Sequence, residues 1–411
     1  MTTATQPPRL LLVNAGMRVY REYLLRSLAT RYAVHLFSSY PVSWELSYLA
    51  GHTSVRSTTA ADDMLTSALE LHSAEPFAGL LCWDEASILA AARVAQALGL
   101  PGGDPAVVER CRDKRLTRLT LDEAGVAQPR SVAVSTVDEA VTAATELGGP
   151  VVLKPRALGG SLGVVVADDP EQVRERFPFT LGTEVAGVPR ADAPVLVEQY
   201  VSGPEISVDA VVHQGRVEVM FIAHKELGFA PYCEEVGHRM DGADPLLKDP
   251  ELLDQLQHIH TALGIRDGAT HTEFKLTGSG PVLIEVNGRL GGDLIPQLGQ
   301  LVTGIDPALA AASVACGRSP ELRPDRTLVG SVRFYYPDRE GTIGAVRVEE
   351  NGLPGVVALV MPVAEPGFRV APPPEGIMEG RLAVAVAVGD DPAGCRASLD
   401  AVAARIRTVW A

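Results

Sequence analysis

Between residues 270 and 293 the chain reads THTEFKLTGSGPVLIEVNGRLGGD, and its polar residues recur at a spacing that chemistry can use. The run reads as two strands, 271–276 and 282–286, joined by Gly278-Ser279-Gly280. Side chains alternate faces along a strand, so Glu285, Asn287 and Arg289 share one side while Val282, Ile284 and Val286 share the other. A hairpin symmetric about Ser279 pairs Thr277 with Pro281, Lys275 with Leu283, and Glu273 with Glu285. Two carboxylates opposed across a ladder have Cβ atoms about 5 Å apart. At an effective dielectric of ~20 they repel by roughly 3 kcal/mol. A cation between them removes that penalty. Mg²⁺ fits, because it takes one or two carboxylates and leaves coordination positions for phosphates; Mn²⁺ is the alternative. Taken alone, the stretch also fits a surface hairpin whose glutamates point at water.

Three further stretches carry usable chemistry. Lys154 ends a strand and is followed by PRALGGSLG, in which Gly159, Gly160, Ser161 and Gly163 let backbone N–H groups approach a ligand closely. The lysine precedes the glycines and the loop joins two strands, so this is not a P-loop. A phosphate cradle and a plain hairpin turn both fit. In VLVEQYVSGPE a strand carrying Glu198 runs out at Val201 and restarts at Glu205. Free backbone groups there could read an adenine edge, and Glu205 could bind ribose hydroxyls; taken in isolation, the segment is better read as a β-bend with two solvated glutamates. Arg289, two positions beyond Asn287, could stabilise developing negative charge, or it could close a salt bridge at the strand end.

These stretches need elements to position them. The chain has 411 residues, 46% hydrophobic and 21% charged, enough for two or three globular domains. Its net charge of −15 argues against non-specific nucleic-acid binding. Five scattered cysteines without a metal-ligand spacing, together with the lack of a long apolar run, predict a cytoplasmic protein with no membrane partner. Residues 9–103 alternate strands (9–13, 34–38, 79–83) with helices (20–29, 60–71, 86–98), which implies a parallel sheet covered on its faces. The first turn, Asn14-Ala15-Gly16-Met17-Arg18, lacks the glycine fingerprint of a dinucleotide site. Asp104-Pro105 opens a helix that continues to Glu123. A compact α/β unit follows, with strands at 131–134, 151–154 and 164–167 and a helix at 137–147. Strands at 196–200, 205–212 and 217–224 and a helix at 251–263 lead into the hairpin, and a helix at 307–316 follows it. Beyond 318 the chain is strand-rich and closes with a helix at 391–409.

Read together, Lys114, Lys154 with its glycine loop, Glu198, Glu205, Glu273 and Glu285-x-Asn287-x-Arg289 follow an order that resembles the ATP-grasp superfamily over residues 10–315. That resemblance implies an α/β and α+β multidomain fold: a Rossmann-like N-terminal domain (1–105), a two-lobed ATP-grasp core (106–195 and 196–317) and a small β-rich C-terminal domain (318–411). It implies ATP and Mg²⁺ as cofactors. Lys114 and Lys154 would hold phosphates, with Gly159, Gly160, Ser161 and Gly163 as the phosphate loop. Glu198 and the Val201 backbone would meet adenine, and Glu205 ribose. Glu273, Glu285 and Asn287 would hold the metal, and Arg289 would be catalytic. The sequence looks most like the L-amino-acid ligases, from NGRLGGD after the metal strand and PYCEEVGH at 231–238. By that likeness Glu235, His238, Gly291, Gly292 and Asp293 belong to the substrate pocket, and the partners are a small carboxylate and an amine. A homodimer is compatible with this reading. Biotin-dependent carboxylases share Glu-x-Asn-x-Arg but place a glutamate and a histidine where this chain has Asp293 and Leu294. A nucleotide-binding sensor that does not ligate is the second alternative.

Overall fold

The computed structural model describes residues 6–411 except 186, 189, 350 and 377, and only the backbone at 379. The N-terminal unit is a parallel sheet in the order Gly51–Ser54, Ala33–Ser38, Arg9–Val13, Gly79–Leu81. Its central run, Leu10 to Val13, is wholly buried, as expected of a strand covered on both faces.

Asp104 caps the helix Pro105–Arg112 as expected, accepting from the Ala106 amide at 2.9 Å. The helix then stops, which corrects the single long helix read from the sequence. Asp113 is extended and caps a second helix, Lys114–Glu123, accepting from the Arg115 and Leu116 amides. An aspartate competes for backbone N–H groups in mid-helix and favours this restart. The restart places Lys114 in the first turn, where its side chain is 7% exposed.

The small lobe is an antiparallel sheet in the order Ser131–Val134, Val195–Gln199, Val151–Pro155, Val165–Ala167. Val195–Gln199 therefore hydrogen-bonds inside the small lobe rather than opening the large one. The large lobe is built on an eight-stranded sheet, Gly280–Asn287, Gly268–Thr277, Glu205–His213, Arg216–Gly228, Glu234–Asp241, Val329–Tyr335, Ala383–Gly389, Val357–Pro362. Three of these strands lie beyond residue 318, so the sheet crosses that boundary without a break. Residues 231–238, read as a mid-domain segment, fall largely on the strand Glu234–Asp241. The expected C-terminal helix is also corrected: Pro392–Ala403 is helical, and Ile406–Trp410 is a strand paired with Gly341–Val348. Ile406, Thr408 and Val409 are β-branched, which favours the pleated edge over another helical turn.

One face of the eight-stranded sheet packs Phe221, Val332 and Val384 against Leu24 and Leu298 in a core shared with the N-terminal unit. The other face packs Ile206, Val208 and Phe274 against Leu252 and Leu256 of the helix Pro250–Leu263. His260 on that helix is wholly buried, its Nδ1 donating to the Leu256 carbonyl at 2.7 Å and its Nε2 2.9 Å from Thr270 Oγ1. Burial keeps the ring neutral and lowers its pKa to about 4. The unfolded chain takes up that proton near the ordinary histidine pKa of ~6.5, so stability is full above that value and falls as pH drops toward 4. Between pH 7 and pH 5 the loss is expected to be about 2 kcal/mol. Urea unfolding at the two pH values should show a smaller acid loss in His260→Gln.

Candidate functional site

The hairpin folds with Glu273 opposite Glu285, but by a different register from the symmetric one. A tight turn at Gly278-Ser279 pairs Thr277 with Gly280, Lys275 with Val282 and Phe274 with Leu283. A β-bulge between Glu273 and Phe274 then shifts the pairing by one residue and brings the two glutamates together. The turn chemistry and the bulge offset each other, so the opposed carboxylates survive a misread turn. Protein cations hold them: Lys114 Nζ lies 3.0 Å from Glu285, and Lys225 Nζ lies 3.0 Å from Glu273. His271 Nε2 is 3.3 Å from Glu273, and its Nδ1 is 2.9 Å from Asp209. Burial would depress the His271 pKa, but Asp209 and Glu273 raise it to about 10. Asn287, opposite His271 in register, is buried at the end of the same strand. Two carboxylates and a carboxamide form an all-oxygen donor set, the kind that suits Mg²⁺.

Lys154 is buried and ion-paired with Glu198, whose other oxygen receives Arg118 Nε at 2.9 Å. Burial opposes ionisation of Glu198, yet Arg118 and Lys154 hold its pKa down at about 2. The Glu198 side chain is thus committed to placing Lys154, which corrects its expected contact with a base edge. Lys114 donates to the Leu158 carbonyl at 2.5 Å as well as meeting Glu285, so it joins the glycine loop to the strand Gly280–Asn287. In that loop Gly159, Gly160 and Ser161 line the cleft. Gly163 does not; it has φ +73, and a Cβ there would lie 2.7 Å from Thr183 Oγ1 and 2.8 Å from Pro155. Its role is to let the loop close against the helix end.

Val201 and Glu205 line the same cleft. Glu205 meets Lys225 at 2.7 Å and Lys275 at 2.9 Å. Lys225 also reaches Glu235 at 2.9 Å, so one lysine, 3% exposed, bridges Glu205, Glu235 and Glu273. Sequence reasoning missed it. The available signal was a lysine on a strand, VMFIAHKEL, that opens with five apolar residues.

The same cleft is also lined by Glu235, Gly292 and Asp293. His238 lies behind them, fully buried, 3.4 Å from Glu235 and 3.6 Å from Asp293. Gly291 is also behind the wall: its amide donates to Asp209 at 2.8 Å, and a Cβ would sit 2.9 Å from His271 Nδ1. Arg381, also unforeseen, is 1% exposed and donates to both Asp293 oxygens, at 2.6 and 3.0 Å. It also reaches Glu234 at 3.4 Å and stacks 3.7 Å above the Phe334 ring. Burial works to raise the Asp293 pKa, and Arg381 overcomes it, keeping the carboxyl well below its usual range. Glu234, less well compensated, is pushed up by burial to about 7. Finally, Arg289 Nε donates to Glu85 Oε2 of the N-terminal unit at 2.5 Å.

The cleft that unites these residues has a volume of about 1100 Å³, at the upper end for a small-molecule site. It brings together Lys114, Lys154, Gly159, Gly160, Ser161, Glu198, Val201, Glu205, Glu235, Glu273, Glu285, Asn287, Arg289, Gly292 and Asp293, and leaves Gly163, His238 and Gly291 as supports behind its walls. Among the described residues no single helix is long and apolar enough to cross a membrane.

Residues 147–297 match the ATP-grasp domain, and residues 333–411 match the L-amino acid ligase C-terminal domain 2. An uncharacterized protein, y4rH, of Sinorhizobium fredii is 32% identical over 70% of this chain and 59% of its own length. Alanine–anticapsin ligase of Bacillus subtilis is 29% identical over 62% of this chain and 57% of its own length. The chain thus spans less than two thirds of these curated relatives. An L-amino acid ligase from Bacillus licheniformis superposes with a TM-score of 0.80 at 21% identity, covering 99% of this chain and 100% of that one. That likeness establishes the fold.

Proposed function

From a chain that belongs to the ATP-grasp proteins and carries an L-amino acid ligase C-terminal domain, we propose an ATP-dependent carboxylate–amine ligase that joins two amino acids, or an amino acid and a small acid. One observation carries the reading. A single cleft sets two lysines and a glycine loop beside two opposed glutamates, an asparagine and an arginine, and the same cleft is lined by the further carboxylates Glu235 and Asp293.

In this reading Lys114 and Lys154 hold the transferring phosphates, aided by the backbone at Gly159, Gly160 and Ser161. The Val201 backbone and Glu205 take the adenosine. Glu273, Glu285 and Asn287 would hold Mg²⁺, which when bound neutralises phosphate charge and fixes the phosphates in line. The substrate carboxylate attacks the terminal phosphoryl group to give an acyl phosphate and ADP. Arg289 stabilises the charge on that intermediate and on the tetrahedral adduct that the amine forms with it. Glu235 and Asp293, backed by His238, line the amino-acid end. Residues 1–105 contribute Glu85 and residues 318–411 contribute Arg381. A carboxylase is less favoured, because the position of its general base is taken by Asp293, whose oxygens are both occupied by Arg381.

Incubating the protein with ATP, Mg²⁺ and pairwise amino acids, with phosphate release and the coupled product read by mass spectrometry, tests the reading. Release that depends on both partners is expected. ATP binding with no release across a broad panel of acids and amines would instead indicate a sensor.

A further inference from the structure

Arg289 and Glu85 lie 204 residues apart in sequence and meet across the cleft. Glu85 sits in the turn that precedes the helix Ile88–Ala97 of the N-terminal unit. Its neighbour Asp84 is used structurally, accepting from the Ser87 amide at 3.0 Å. Glu85 caps nothing and points to Arg289. A Cβ placed on Gly159 would lie 3.5 Å from Arg289 Nη2 and 3.8 Å from Glu85 Cγ. The carboxylate, the guanidinium and the phosphate loop therefore converge on one point, where an acyl phosphate would form. Arg289 engages one oxygen of Glu85, whose side chain remains 24% exposed in the cleft.

We propose that Glu85 is the receptor for the ammonium group of the amine substrate, an inference that rests on the ligase reading above. The amine arrives protonated at neutral pH, since an α-amino group titrates near ~8. Arg289 alone would repel it from the carbon it must attack. Elsewhere on the wall Glu205 and Glu235 pair with Lys225, Glu198 with Arg118 and Lys154, and Asp293 with Arg381, while Glu273 and Glu285 face the proposed metal position and Asp84 accepts from the Ser87 amide. Glu85 places a negative charge directly beside Arg289, with one oxygen left for a second donor. Burial works against its ionisation, and the guanidinium reverses this, so the carboxyl titrates below its usual range and stays charged. Glu85 thus binds and orients the ammonium rather than acting as a strong base. In the step itself the ammonium loses two protons, one to solvent and one to the departing phosphate. The nitrogen lone pair forms the C–N bond as the carbonyl π pair moves onto oxygen; collapse of that adduct restores the carbonyl and breaks the acyl C–O bond, whose bonding pair leaves on phosphate oxygen.

Hydroxylamine separates this role from simple support of Arg289, because it is uncharged at neutral pH and needs no ammonium receptor. Wild type and Glu85→Gln are compared for hydroxamate formation (carboxylate, ATP, hydroxylamine) and for amide formation with an amino acid acceptor from the pairwise screen. The ratio of amide to hydroxamate is expected to fall at least tenfold in Glu85→Gln, with a raised KM for the acceptor, and Glu85→Asp should recover part of it. If both products fall together, Glu85 only holds Arg289 and the proposal is overturned. An unchanged ratio overturns it as well. A wild type that forms neither product overturns the ligase reading and this proposal with it.

Discussion

Arg289→Ala is expected to slow ATP-dependent phosphate release by about 10²–10³-fold, the usual cost of removing one preorganised donor from a developing oxyanion. The KM for ATP should change little, because in the proposed reading Lys114 and Lys154, on other elements, hold the phosphates. The arginine is 11% exposed and is fixed from two sides, by Glu85 and by its Nη1 bond to the Leu290 carbonyl at 2.9 Å. That preorganisation distinguishes a catalytic donor from a mobile surface arginine. Arg289→Lys should recover only part of the rate, since a point charge cannot reproduce the planar fork. Steady-state phosphate release checks both variants, with thermal unfolding as the control for Glu85 losing its counter-charge. Near-wild-type release from Arg289→Ala, with acceptors that work, would remove Arg289 from the chemistry.

The second large effect is on stability. Arg381→Met keeps the volume and apolar contact over Phe334 but strips the cation from a buried network. Asp293 and Glu234 would remain, with Tyr336 still donating to Glu234. Removing one partner of a buried ion pair costs about 3–5 kcal/mol, since the remaining charge is unpaired in a poorly solvated site. Urea unfolding of the full chain should show that loss. Adding Asp293→Asn to Arg381→Met should return a substantial part of it, because the unpaired charge is then gone. A cost below about 1 kcal/mol for the single variant would mean that Asp293 is rescued by protonation or by water.

What the sequence made legible follows from what is local. Side-chain alternation placed Glu285 and Asn287 on one face, and Glu273 was found opposite Glu285 in spite of a turn read one residue too wide. The bulge that rescued the pairing has no signature in the sequence beyond the length of the second strand. The break at Asp113 was legible in principle, because an aspartate caps helices more readily than it continues them, but the helical run on both sides concealed it. Lys225 and Arg381 lay beyond reach for a different reason. Each acts through partners tens to more than a hundred residues away: Glu205, Glu235 and Glu273 for the lysine; Glu234 and Asp293 for the arginine. Only the topology of the eight-stranded sheet brings those partners together. The C-terminal strand Ile406–Trp410 was misread because its pairing partner, Gly341–Val348, lies some sixty residues earlier, and local pattern alone extended the preceding helix.

The unbroken sheet has a practical meaning for anyone wishing to recombine this chain with its relatives. The C-terminal region is not a cassette. Cutting the chain before Val329 would strip the strand Glu234–Asp241 of its neighbour along Gly237 to Asp241. An open row of amides and carbonyls next to the carboxylate-lined cleft invites pairing with another chain. The same cut would remove Arg381 and leave the wall bearing Glu235 and Asp293 without its anchor. Chimeras are therefore best joined between the helices Ile88–Ala97 and Pro105–Arg112, after the last strand of the N-terminal parallel sheet, where no ladder crosses the junction.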